Sequence, residues 1–182
     1  MRIGILRFGQ VDSRILDRVK ENLNMAFSET ECIFVDDVLP LPKEAFNNER
    51  QQYNSSSILD IVENRADEDE SLGRVLGIID ADLYVSSLNF VFGEARCPGK
   101  AALISLWRLK PEFHEKPSNM ELFVERVTKE AVHELGHTFG LRHCPDPFCV
   151  MYFSNSIFDT DRKQSLFCGK CQMKLAKTSV EQ

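Results

Sequence analysis

Hydrophobic residues follow two spacings along the chain, one typical of strands and the other of helices. Residues 11–27 carry apolar side chains at helical spacing, and a shorter helix is expected over residues 56–66. Several short apolar runs have the length of a buried or half-buried strand: residues 2–8, 32–38, 74–85, 89–95 and 101–109. Strands in this number with an early helix predict a mixed sheet in an α/β domain.

The longest helical pattern begins near Ser118 and ends at Gly140. Ser118 and Glu121 have the spacing of a capping box that follows a proline. Glycine readily adopts the left-handed conformation that ends helices, so Gly140 is a natural stop. Apolar residues recur at steps of four on one stripe of this helix, at Phe123, Val127, Ala131, Leu135 and Phe139. A second stripe consists of Arg126, Glu130, His133 and His137. Residues 168–182 predict another short helix.

The remaining segments predict surface structure. Residues 40–57 are polar and contain two prolines, which favours a long surface loop. Whether that loop covers a binding cleft is left open by the sequence. The acidic run over residues 66–71 is typical of a solvated turn. We expect Trp107 in the core and His114 exposed in a loop.

Composition narrows the class of protein. The chain has 182 residues with 43% hydrophobic and 27% charged residues, values ordinary for one globular domain. Its net charge of −6 argues against binding to nucleic acid or to an anionic membrane, which favour basic surfaces. The N-terminal apolar run is too short for a signal peptide. We therefore expect a cytoplasmic protein in which the six cysteines are reduced. We also expect a monomer, although the sequence leaves the oligomeric state open.

Three of the four histidines lie close together in the segment HELGHTFGLRH, residues 133–143. His133 and His137 are four residues apart on the predicted helix, so their side chains share one face at a distance that suits two ligands of one zinc ion. A turn at Gly140 can bring His143 back as a third ligand. Glu134 adjoins the first ligand and is placed to act as general base on an activated water. A degenerate or purely structural zinc site would contain the same residues.

This pattern resembles that of the metzincin metalloproteases, in which HExxHxxGxxH is followed by a methionine. The continuation resembles the archaemetzincin family more specifically. Cys144 follows the third histidine, Cys149 and Met151 come next, and Cys168 and Cys171 form a C-x-x-C pair. Residues 50–59 and 89–95 also resemble family segments. The spacing from Met151 to Cys168 is about one residue shorter than in the family pattern. This difference affects the length of the loop between them and not the identity of the ligands.

The resemblance implies an α/β metzincin-like single domain with a mixed twisted sheet, an active-site helix and a small zinc-stapled C-terminal lobe. It divides residues 1–182 into an upper lobe, 1–140, and a lower lobe, 141–182, with a cleft between them. It also implies two zinc ions per chain, a catalytic one at His133, His137 and His143 and a structural one at Cys144, Cys149, Cys168 and Cys171. Met151 would be the methionine beneath the catalytic zinc.

The cysteine site has its own physical argument and its own alternatives. Four thiolates with no open position describe a closed structural zinc site. Two disulfides or a redox C-x-x-C pair are the alternatives, and a reducing compartment disfavours the first. Tyr152 is a candidate for an additional zinc ligand, but we expect its side chain to pack against the protein instead of binding zinc.

The resulting hypothesis is a zinc-dependent peptidase that acts on peptide or protein substrates, with Glu134 as general base. Residues 89–95 could form an edge strand that pairs with an extended peptide. A non-catalytic zinc-binding interaction protein with a vestigial peptidase site is the first alternative, and a nucleic-acid-binding zinc module is the second. The sequence leaves the natural substrate and the choice between endopeptidase and aminopeptidase open.

Overall fold

A computed structural model describes residues 1–180. Its strands are β1 (Arg2–Phe8), β2 (Glu31–Leu39), β3 (Phe46–Asn47), β4 (Gln52–Asn54), β5 (Arg74–Ile79), β6 (Leu83–Val85), β7 (Leu88–Val91), β8 (Gly93–Ala95) and β9 (Ala101–Ser105). Its α-helices are α1 (Ser13–Ala26), α2 (Ser55–Glu68), α3 (Met120–Thr138), α4 (Ile157–Arg162) and α5 (Gly169–Val180). Short 3₁₀ turns occupy Lys43–Ala45, Trp107–Leu109 and Pro111–His114.

The main sheet is mixed, as the sequence predicts, with strand order β2-β1-β5-β9-β8. Its neighbours are parallel except β8, which pairs antiparallel with β9. A smaller sheet has the order β3-β4-β6-β7. Strands β7 and β8 are therefore edge strands of the two sheets, and they follow each other along the chain.

Helices cover both faces of the main sheet because its strands are apolar on both sides. Ile3 and Ile5 of β1 pack in one core with α1 and α3. Leu6 and Phe8 lie in a second core, which is formed mainly with α2. This alternation is the two-residue period of a strand. It fixes α3 against one face of the sheet, with the edge strand β8 beside it.

Two predicted strands are each split by the structure. Residues 74–85 were expected as one strand, but β5 and β6 belong to different sheets. The break lies at Asp80 and Asp82, whose carboxylates pair with Lys110 and Arg108 at 2.6 Å. Residues 89–95 likewise divide into β7 and β8 around the buried Phe92. Ion pairing interrupts the first strand-like run, and the burial of Phe92 interrupts the second.

Several other local predictions are wrong in detail. Residues 40–57 are not one loop, because they contain β3, β4 and the start of α2. Asn119, not Ser118, caps α3, since its side chain accepts a hydrogen bond from the Leu122 amide at 3.0 Å. Trp107 is 42% exposed rather than in the core, with the Lys110 ammonium over its ring. His114 is half-buried, with Nε2 2.7 Å from the Arg108 carbonyl.

The long helix that the sequence predicts up to Gly140 and the C-terminal helix are confirmed. The stripe of apolar residues along α3 is buried, and the positions of the second stripe are at least half-buried as well. The predicted C-terminal helix corresponds to α5, and residues 181–182 lie outside the described part of the chain. Helix α4 was not predicted. Within residues 1–180 no helix has the length and apolar character needed to cross a bilayer.

Candidate metal centre and active site

The three predicted histidine ligands meet at the end of α3. Their ligand nitrogens lie within 4.8 Å of one another. His133 Nε2 and His137 Nε2 are 3.1 Å apart, close to the ~3.3 Å expected for two nitrogens bound to one zinc at tetrahedral angles. Gly140 has φ +83°, a conformation suited to glycine, and the chain turns there so that the His143 ring faces the other two. The spacing in the sequence therefore produces the predicted cluster.

Backbone carbonyls orient the two helical histidines. His133 Nδ1 lies 2.8 Å from the Val150 carbonyl, and His137 Nδ1 lies 2.7 Å from the Leu141 carbonyl. A carbonyl only accepts hydrogen bonds, so each Nδ1 must carry the proton and each Nε2 must present a lone pair. This arrangement is typical of metal-binding histidines, because it fixes both the tautomer and the ring orientation.

Burial keeps the histidines neutral, which zinc binding requires. It lowers the pKa of His133 well below its usual value, and the nearby Lys163 ammonium lowers that pKa further. The pKa of His137 and of His143 is also lowered, in each case chiefly by burial. The donor set and its protonation state therefore fit a zinc ion.

Glu134 lies beside this cluster and is only 6% exposed. Burial raises the pKa of its carboxyl well above the usual value, and the Glu130 carboxylate raises that pKa further. A Cβ on Gly93 of β8 would lie 2.6 Å from Glu134 Cγ, so the edge strand packs directly against this side chain. A carboxyl with a raised pKa beside three imidazoles has the properties of a general base.

An open cleft of about 820 Å³ runs over the histidines. Its walls include Glu94 of β8 and Arg142, together with the three histidines and Glu134. The Glu94 carboxylate accepts a hydrogen bond from Ser56 at 2.9 Å. The cleft thus has β7 and β8 on one side and the loop after α3 on the other.

The four predicted cysteine ligands form a second cluster. Their sulfur atoms lie within 4.8 Å of one another, and all four thiols are free. The disulfide alternative is therefore not what the structure shows. The Cys149 sulfur accepts a hydrogen bond from the Cys168 amide at 3.4 Å. The Cys171 amide lowers the pKa of the Cys168 thiol to about 7, while burial raises the pKa of Cys149 and Cys171.

The two clusters are linked through the backbone. Cys144 directly follows the ligand His143 in sequence, and the Val150 carbonyl that orients His133 directly follows Cys149. The Cys144 amide donates to the Met151 carbonyl at 2.9 Å. Holding the four sulfurs together therefore also holds the acceptor that fixes the first histidine.

Met151 packs against α3 at Gly136. It is fully buried, and a Cβ on Gly136 would lie 2.5 Å from its Sδ. Gly136 stands between His133 and His137 on α3, so the lack of a side chain there lets the methionine approach the helix. Tyr152, the next residue, is half-buried, in keeping with the expectation that it packs.

Sequence reasoning missed a buried polar network behind Glu134. Glu130 lies one helical turn earlier and is 2% exposed. Its Oε1 accepts from the Thr160 hydroxyl at 2.9 Å and lies 2.9 Å from the Lys163 ammonium, which is fully buried. The Arg126 guanidinium, also buried, binds the Asp161 carboxylate through two hydrogen bonds of 2.7 Å. The stripe through Arg126 and Glu130 was the available signal, but nothing in the sequence marked Lys163 as buried.

Known proteins resemble the chain over almost its whole length. The model for peptidase family M54 matches residues 2–177. The archaemetzincin of Methanocaldococcus jannaschii is 44% identical over 180 residues, 99% of this chain and 96% of the relative. The crystal structure of archaemetzincin from Methanopyrus kandleri superposes with a TM-score of 0.86 at 40% identity, covering 99% and 96% of the two chains. A zinc-dependent peptidase from Methanocorpusculum labreanum gives a TM-score of 0.84 at 30% identity, with 95% and 99% covered.

Each finding concerns nearly the whole chain, and the matches hold in both sequence and structure. The matching family model is that of a peptidase family, and the Methanocorpusculum labreanum protein is described as a zinc-dependent peptidase. The chain therefore belongs to peptidase family M54, the archaemetzincins, and is a zinc metalloprotease.

Proposed function

We propose that the chain hydrolyses peptide bonds at a zinc ion held by His133, His137 and His143. One observation carries the proposal: two imidazoles donate through Nδ1 to backbone carbonyls and present Nε2 to a common point beside a buried carboxyl. A purely structural site has no need of Glu134 at that position. When bound, zinc supplies Lewis acidity, which lowers the pKa of a water and polarises the peptide carbonyl.

Glu134 is the general base in this proposal. Its carboxylate accepts a proton from the attacking water and then delivers that proton to the leaving amine, so one water is added across the peptide bond. Burial raises the pKa of Glu134, which brings its proton affinity nearer to that of a water activated for attack. The packing of Gly93 against the side chain holds the carboxyl in place between these two transfers.

The edge strands beside the cleft can receive an extended substrate. β7 and β8 are edge strands and line the cleft, so their free backbone groups can pair with a peptide. The Arg50 guanidinium already donates to the carbonyls of Leu88 and Asn89, at 3.4 and 3.0 Å. Pairing with substrate is therefore expected from Phe90 onward, next to Glu134.

The cysteine cluster would hold a second zinc ion with a structural role. Cys144, Cys149, Cys168 and Cys171 fill a tetrahedral set and leave no position for substrate. This ion would hold the proposed lower lobe, 141–182, against the upper lobe, 1–140. It would also fix the Val150 carbonyl, on which the orientation of His133 depends.

Zinc-edge anomalous diffraction from zinc-loaded crystals tests the two sites. We expect two peaks per chain, one among the three histidines and one among the four cysteines. In parallel, the zinc-loaded protein should cleave members of a random peptide library, and the metal-stripped protein should not. Two occupied sites without cleavage at any zinc level would favour a vestigial site, and an empty histidine site in active protein would refute the proposal.

A further inference from the structure

A small cavity opens beside the candidate catalytic centre. Its volume is about 210 Å³, and it shares His133, Glu134 and Gly93 with the larger cleft over the histidines. A side chain of a substrate bound in that cleft can therefore enter the cavity from the reacting bond. Apolar side chains of β7 and the adjoining Phe92 form its wall, including Leu88 and Phe90.

Part of the cavity lining is polar, in contrast to the apolar wall. Glu130 lines it and is 2% exposed. The Lys163 ammonium lies 2.9 Å from Glu130 Oε1, although the two are not aligned for a hydrogen bond, so their attraction is electrostatic. The opposite charges of Glu130 and Lys163 compensate each other. Glu134 also lines the cavity, but in the proposed reaction its carboxylate serves the attacking water. A charged substrate side chain would therefore have no counter-ion of its own here, and burying an unpaired charge is costly.

Ser154 supplies a second polar group. Its side chain lines the same cavity, and Oγ is buried without a protein partner within residues 1–180. A hydroxyl can both donate and accept a hydrogen bond. A substrate group that accepts a hydrogen bond would supply the partner that this hydroxyl lacks, whereas an apolar side chain would leave the hydroxyl unpaired, which is unfavourable.

We propose that this cavity selects an uncharged substrate side chain with a hydrogen-bonding tip, next to the scissile bond. The carboxamide of glutamine fits these requirements, because its amide can donate to Glu130 and its carbonyl can accept from Ser154. The apolar wall accommodates the methylene groups of the same side chain. Glu130 and Ser154 are then the residues that determine specificity. This inference rests on the proposed function, since it assigns a substrate side chain to the same site.

Binding of peptide hydroxamates to the zinc-loaded protein tests the inference without turnover. The four compounds differ only in the side chain next to the chelating group: glutamine, leucine, lysine or glutamate. Isothermal titration calorimetry should give an affinity for the glutamine compound about tenfold above that for leucine, the effect of about one neutral hydrogen bond. Lysine and glutamate should bind more weakly than leucine.

Two matched variants test whether the preference for glutamine over leucine arises in this cavity. Ser154→Ala should reduce the ratio of glutamine to leucine affinity toward one, with the leucine compound as internal reference. Ser87→Ala lies in the larger cleft but outside the cavity and should leave the ratio unchanged. A flat preference, a preference for lysine or glutamate, or an unchanged ratio in Ser154→Ala would overturn the inference alone. Failure of all four hydroxamates to bind would overturn the zinc site as well.

Discussion

Gly93→Ala tests the idea that the edge strand positions the general base. A Cβ at residue 93 would lie 2.6 Å from Glu134 Cγ, 2.8 Å from Glu134 Oε1 and 2.6 Å from the Leu103 carbonyl oxygen. β8 cannot simply retreat, because Gly93 pairs with Ile104 of β9 and the Ser105 amide donates to the Phe92 carbonyl at 2.8 Å. Glu134 is almost fully buried and has little free space around it. Its carboxyl must therefore shift to relieve the contact with the new methyl group.

The magnitude follows from overpacking. Extra methyl groups in a packed site cost about 1–3 kcal/mol, and about 2 kcal/mol lowers the melting temperature of a chain this size by about 4–8 °C. A shift of about 1 Å in a catalytic group can reduce turnover about 100-fold. We therefore expect Gly93→Ala to lose at least about 90% of kcat on a cleaved peptide, with unchanged zinc content, since the three atoms nearest to the new methyl group belong to Glu134 and Leu103 and not to a histidine.

Gly169→Ala is the matched control. Gly169 begins α5, its φ is not positive, and an added Cβ there meets no atom within 4 Å. Alanine at the first residue of this helix should change the melting temperature little and leave turnover unchanged. Kinetics and thermal melting are measured on both variants. If Gly93→Ala retains the turnover and melting temperature of Gly169→Ala, the positioning argument is wrong.

Other predictions concern metals and protons. Cys168→Ala should lower the melting temperature sharply, because structural zinc contributes several kcal/mol of folding free energy, whereas His137→Ala should leave the fold largely intact; equal melting of both variants and wild type would refute the structural site. In a chelator titration followed by native mass spectrometry and circular dichroism, one zinc should leave first with loss of activity and little unfolding, since the histidine site has an open position; simultaneous loss of both ions would contradict this order. Burial lowers the pKa of all three histidines, so the unfolded state binds protons more tightly and their contribution to stability is present above about pH 6.5 and lost as pH falls. Buried Glu134 has a raised pKa and opposes this trend, so the melting temperature of metal-free Glu134→Gln should fall from about pH 7.5 to about pH 5.5; a flat profile would contradict the burial argument.

The candidate site could be predicted from sequence because its residues are close along the chain. His133, Glu134 and His137 share one helical turn, and Gly140 turns the chain so that His143 can follow. Such short-range geometry depends on helix spacing alone. Helix spacing alone could not predict the cysteine cluster, because Cys144 and Cys168 are far apart in sequence. The resemblance to the family pattern indicated that they bind the same ion.

Long-range burial was not predictable in the same way. Lys163 is a charged residue in a polar segment, and only the tertiary position of α4 buries it against Glu130. Trp107 looks like a core residue by type, yet the 3₁₀ turn after β9 directs it outward. The split of residues 74–85 depends on ion pairs with Arg108 and Lys110, which lie in a later part of the chain. The cytoplasmic location, the monomeric state and the absence of nucleic-acid or membrane binding stay predictions.

Comparison of Glu134→Ala with wild type at equal zinc content tests the central claim most directly. Glu121→Ala is the matched control, because Glu121 lies on the same helix but on the surface, paired with Arg18. Zinc content is measured on the same samples as cleavage of a peptide identified from the library. We expect Glu134→Ala to retain zinc and lose peptide cleavage, while Glu121→Ala cleaves like wild type. Cleavage by zinc-loaded Glu134→Ala at the wild-type rate would contradict the assignment of Glu134 as general base.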